Sequence, residues 1–116
     1  MESITIDQLK EKILDSNPIN IVDVRNNDET AMGIIPGAKT IPMNEIPDHL
    51  NEFDSNQTYY IICAAGARSA RVVQYLENSN IHAVNVEGGM NEWGTEGLEI
   101  NNICLLYTSP SPRDRT

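Results

Sequence analysis

The chain has 116 residues, 40% hydrophobic and 22% charged, which suits one soluble globular domain with a core of its own. Its net charge of -9 argues against a nucleic-acid partner, which needs a basic face, and no apolar run approaches the roughly 18 residues of a membrane span. Two cysteines, Cys63 and Cys104, form no ligand cluster, so no metal site is expected; the opening MESITIDQLKEK lacks a signal core, so a cytoplasmic protein is expected.

In chain order, SITIDQLKEKIL reads as a short strand followed by a helix, capped by Thr5 or Asp7, with Leu9, Ile13 and Leu14 as its apolar face. INIVDVR, residues 19–25, is a β-branched run after Pro18 and predicts a buried parallel strand. NDETAMG predicts a short helix ending near Gly33, and IPGAKTIP a Pro-Gly turn with a short strand around Thr40 and Ile41. NEIPDHLNEF predicts a helix with Asn44 as a cap. TYYIIC, residues 58–63, predicts the next strand, and RSARVVQYLENSN a helix with Val72, Val73 and Leu76 on one face. AVNVEGG predicts the last strand and turn, and GMNEWG a final short helix.

Strands alternating with helices predict an α/β domain with a mainly parallel sheet, in which ligands sit beyond the carboxyl ends of the strands. Cys63 lies at one such end. The final CLLYTSPSPRDRT changes composition abruptly, with two Ser-Pro steps, and resembles translated sequencing-adaptor read-through. The expected organisation is therefore a domain over 1–103 and a disordered, non-native tail over 104–116.

The corner at Cys63 is the candidate site. A strand, a loop of small residues and a helix start place backbone N–H groups around an anion, aided by the dipole of the helix. Ala64, Ala65, Gly66 and Ala67 leave room for that loop to curl. Arg68 adds a planar cation, and Ser69 can cap the helix or donate to the same anion. A thiol there would have a depressed pKa and act as a nucleophile without a histidine base; His49 and His82 have no sequence link to it. The competing reading is a small hydrophobe finishing a buried strand.

The segments IVDVR, GIIPGAKTIP, YYIICAAGARSA and VEGGMNEW, in this order and spacing over residues 3–100, resemble a single-domain rhodanese. The resemblance implies a five-stranded α/β sheet with helices on both faces. It also implies a sulfurtransferase in which Cys63 takes a sulfane sulfur as a persulfide and passes it to a thiophilic acceptor, with no cofactor. The amides of Ala64 to Ser69 would cradle the persulfide, and Arg68 would bind the anionic donor, whether thiosulfate or a persulfide, including one carried on a protein. Ile34 stands where many relatives have a histidine, which implies changed packing. Ala64 and Ala65 stand where efficient thiosulfate users often carry a further cation, which implies weak thiosulfate use.

Cysteine phosphatases on similar loops use Cys-x5-Arg, whereas Cys63 to Arg68 is Cys-x4-Arg, a smaller ring that favours sulfur over phosphate or arsenate. A catalytically quiet module of the same fold, sensing persulfide or redox state, is the alternative from another class. Asp23 and Arg25 read chiefly as structural, fixing loops through an ion pair, with Glu29 as a partner for Arg25. Gly88 and Gly89 read as permitting close backbone approach beside the Cys63 loop, and Trp93 as core or pocket wall. Glu45, Asp48, Glu52 and Asp54 form a solvated acidic face.

Overall fold

The computed structural model describes residues 1–15 and 18–94; the expected boundary at 103 and the tail with Cys104 lie outside these. Five strands, β1 (Glu2–Ile4), β2 (Asn20–Asp23), β3 (Lys39–Thr40), β4 (Thr58–Ile62) and β5 (His82–Val86), form one sheet in the order β1-β5-β4-β2-β3. Every pairing is parallel, and β4 is central, with Ile62 opposite Asp23 of β2 and Ile61 opposite Asn85 of β5.

Both faces are covered, as parallel strands require. Side chains alternate along a strand, so on β4 Tyr59 and Ile61 enter one core while Ile62 enters the other. The first core is closed by α3 (Ala67–Asn78), which contributes Val72, Val73 and Leu76, and by a 3-10 helix (Met43–Glu52) that contributes Ile46. The second is closed by α1 (Ile6–Leu14) with Ile6 and Leu9, and by α4 (Gly89–Trp93) with Met90. A short helix, α2 (Asn27–Thr30), follows β2. No helix among the described residues is long and apolar enough to cross a membrane.

Two expectations need correction. Thr5 caps α1 in a reciprocal box with Gln8, but the apolar face ends early: Leu14 is 86% exposed and Ile13 is also exposed. At 100° per residue Leu14 points well away from the stripe of Ile6 and Leu9, so it cannot share their core. The segment after Thr40 is a 3-10 helix flanked by Pro42, and Asn44 lies inside it instead of capping it. Pro47 has no N–H to donate, which disfavours a regular α-helix there.

Candidate active site

Cys63 follows the last residue of the central strand β4 and is 1% exposed. The chain then turns through Gly66, whose φ of +105° is in the left-handed region that glycine adopts without penalty, and enters α3 at Ala67. This reversal turns backbone amides back toward the sulfur. Gly66 N donates to Cys63 Sγ at 3.0 Å and Ser69 N at 3.3 Å. Among the described residues, the hydrogen bonds to Sγ do not come from the amides of Ala64, Ala67 or Arg68. Ala65 is exposed, as is Ala67.

The loop's carbonyls face the other way. Met90 N donates to the carbonyl of Cys63 at 2.8 Å, and Asn91 N to that of Ala64 at 2.9 Å. So close an approach requires Gly89: a Cβ there would stand 2.2 Å from the Cys63 oxygen. α4 thus holds the carbonyl side of the loop while the amide side faces the sulfur.

Ser69 is fully buried. The thiol of Cys63 donates to Ser69 Oγ at 3.3 Å, and the Ser69 hydroxyl donates to Asn85 Oδ1 on β5 at 2.5 Å. Burial pushes the Cys63 thiol up, but the Ser69 hydroxyl and the amides of Ser69, Gly66 and Ala65 outweigh it, so the net shift is downward. Backbone dipoles and one hydroxyl provide this stabilisation.

Arg68 pairs with Glu29: Nη1 to Oε1 at 2.7 Å and Nη2 to Oε2 at 3.1 Å. Glu29 Oε1 also accepts from Asn26 N at 3.0 Å, within the capping box of α2. The Arg68 hydrogen bonds hold the Glu29 carboxyl down at about 2, helped by the Asn26 amide, and Arg68 is shifted upward by the same pair. The nearby Cys63 sulfur also favours protonated Arg68.

Glu29 is therefore the partner of Arg68, whereas Arg25 pairs with Asp23. Arg25 Nη2 lies 2.7 Å from Asp23 Oδ2, and its Nε reaches both carboxylate oxygens at 3.0 and 3.1 Å. Its Nη2 also donates to the Gly33 carbonyl at 2.9 Å. Asp23 is fully buried and Arg25 is 8% exposed, so this pair ties the end of β2 to the loop at Gly33. Ile34 is buried as well.

His49 bonds Glu52, and His82 bonds Glu2 and Thr58; neither bonds Cys63. Trp93 packs against the second core, with Lys10 over its ring at 5.2 Å. Three features escaped sequence reasoning: Asn85, the Glu29–Arg68 pair and the α4 amides on the loop carbonyls. Asn85 had a signal, since a lone amide within the β-branched run AVNV must find a buried partner. The pairing of Glu29 had none, because 39 residues separate it from Arg68.

The model of the rhodanese-like domain matches residues 5–96. A Bacillus subtilis protein, YtwF, which bears a provisional sulfurtransferase name, is 40% identical over 96 residues, covering 83% of this chain and 93% of that one. A sulfurtransferase of Allochromatium vinosum is 33% identical over 101 residues, covering 86% of this chain and 94% of its own. Among solved structures, a rhodanese-like domain protein from Staphylococcus aureus superposes with a TM-score of 0.86 at 64% identity, covering 88% of this chain and all of that one. By the extent of the family match and by these identities, the chain belongs to the rhodanese-like domain family.

Proposed function

We propose that this protein moves a sulfane sulfur through a persulfide on Cys63 to a thiophilic acceptor. Membership of the family supports a sulfur-transfer or sulfur-carrier role in general. The single observation that carries the assignment to Cys63 is its sulfur at the end of the central strand, accepting from the Gly66 and Ser69 amides. Those donors favour the thiolate, which is the nucleophile. The same ring of amides, from Ala64 to Ser69, would receive the anionic outer sulfur of the persulfide.

In this reading Cys63 thiolate attacks the outer sulfur of the donor, the donor's S–S bond breaks, and its electron pair leaves on the former partner atom. The acceptor, a thiolate or another thiophile, then removes the outer sulfur from Cys63 and restores the thiolate. Asp23 and Arg25 support the site by fixing the end of β2, since their charges are spent on each other and on Gly33. The donor is a low-charge persulfide, small or protein-borne, in preference to thiosulfate, because Ala64 and Ala65 bring no cation to the loop.

The test is intact mass after incubation with thiosulfate and, separately, with a small-molecule persulfide. One added sulfur, absent in Cys63→Ser, supports the carrier role. No adduct from either donor turns the assignment to a quiet binding module.

A further inference from the structure

Charge at the mouth of the Cys63 loop is set by two residues, and only one of them was visible as part of it. Arg68 and Glu29 are joined through both oxygens and both terminal nitrogens, and their side chains are 30% and 31% exposed. The pair is thus open to an incoming donor. Glu29 is held from a second side by the Asn26 amide, so its carboxylate does not need Arg68 to keep its place. With its pKa held down at about 2, Glu29 is ionised at neutral pH.

Most other cations among the described residues are engaged elsewhere. Arg25 is committed to Asp23 and Gly33, and Lys39 is paired with Glu52. Lys10 lies over Trp93, and Lys12 over Tyr60 at 5.7 Å. Arg71 is exposed on α3, beside an apolar groove lined by Met43, Ile46 and Tyr75, and is not bonded to the Cys63 loop among the described residues. An anionic donor therefore meets a guanidinium whose charge is already matched.

We infer that Glu29 is a specificity-determining residue, which selects sulfane-sulfur donors of low negative charge by cancelling the charge of Arg68. The inference rests on the Cys63 carrier reading. Each negative charge on the donor is repelled by the Glu29 carboxylate, which offsets the attraction of Arg68. Three N–H groups of the guanidinium remain for donor oxygens, so orientation is kept while net attraction is reduced.

The test uses two donors with the same sulfane sulfur and different charge. Thiosulfate is a dianion; methanethiosulfonate has a methyl group in place of one charged oxygen and is a monoanion. In both cases the Cys63 thiolate is oxidised to the persulfide anion by the outer sulfur. The donor is reduced, leaving as sulfite or as methanesulfinate, and no proton moves.

Single-sulfur loading rates are read by quenched intact mass for the wild type, Glu29→Gln and Glu29→Asp. Removing one unit charge about 6 Å from the donor across well-solvated surface is worth about threefold per donor charge. Glu29→Gln should therefore speed thiosulfate loading about ninefold and methanethiosulfonate loading about threefold, moving their ratio about threefold at low salt. Glu29→Asp, which keeps the charge, should keep the wild-type ratio. The ratio does not depend on the fraction of protein folded, so loss of stability cannot imitate the effect.

Equal changes for the two donors in Glu29→Gln, or the same ratio shift in Glu29→Asp, would overturn the inference while leaving the Cys63 carrier intact. A wild type that gains no sulfur on Cys63 from either donor would overturn both.

Discussion

Replacing Gly89 with alanine asks whether α4 holds the Cys63 loop in its sulfur-binding shape. A Cβ at Gly89 would lie 2.2 Å from the Cys63 carbonyl oxygen and 2.6 Å from that of Ala64, both backbone atoms. Ordinary contact begins at 3.4 Å, so loop and helix must part by roughly 1 Å. That separation removes the bonds from Met90 N and Asn91 N, now 2.8 and 2.9 Å long. Two hydrogen bonds at about 1 kcal/mol each, with about 1–2 kcal/mol for alanine at a left-handed φ, come to about 3–4 kcal/mol. For a domain of this size that lowers Tm by roughly 12–30 °C. The displaced loop also carries Gly66 N and Ser69 N away from Sγ, so the thiol pKa should rise.

Thermal melting and the pH dependence of Cys63 alkylation, located by peptide mass mapping, measure the two effects. Gly88→Ala is the control: the nearest atoms to its Cβ would be the carboxylate of Glu92, an exposed side chain that can swing aside, so its cost is chiefly the φ penalty of about 1–2 kcal/mol. If Gly89→Ala melts with Gly88→Ala and alkylates with the wild-type midpoint, the clamp between α4 and the loop is refuted.

Ser69→Ala removes the hydroxyl that hydrogen-bonds the Cys63 sulfur and holds its pKa down, and strands Asn85 Oδ1 in the core; the alkylation midpoint should rise and stability fall by about 1–3 kcal/mol in urea. Asp23→Ala leaves Arg25 buried with the Gly33 carbonyl as its remaining partner and should cost about 3–5 kcal/mol by the same measurement. The Cys63 pKa lies below its ordinary 9.0, so between the lowered value and 9.0 the folded thiol has released a proton that the unfolded chain still holds. Stability should therefore rise with pH across that window, and the contribution should be lost as pH falls through the folded-state pKa; Cys63→Ser should flatten the slope.

The strands and most helices were legible because each rests on local pattern. The β-branched runs around Val22 and Ile61 are buried on both faces, and the spacing of Val72, Val73 and Leu76 gives one helix face. The corner was legible for a related reason: the small residues Ala64 to Ala67 and the turn at Gly66 are consecutive. What was not legible depends on contacts that topology makes. Parallel pairing of β4 with β5 sets Asn85 opposite Ile61, near Ser69, though neither residue signals the other. The loop after β2 brings Glu29 across to Arg68, while Arg25, much nearer to Glu29 in sequence, is taken by Asp23 at the strand end. Even Leu14 failed for a geometric reason, since one helical step past Ile13 turned it off the stripe.

These long-range contacts change what the corner can do. With a free Arg68, the site would hold an anion through charge, and a dianion would gain most. With Arg68 matched by Glu29, the stabilisation left at the sulfur is short-range: amides at 3.0 and 3.3 Å and one hydroxyl. Dipoles at such distances favour a single negative charge at one fixed point and add little for a second charge farther out. A persulfide has just that distribution, one charge on a terminal sulfur. The alanines at positions 64 and 65 keep side-chain cations out, and Glu29 cancels the one that remains. On this argument, loop composition and the α2 carboxylate act in the same direction, and altering either should broaden the donors that Cys63 accepts.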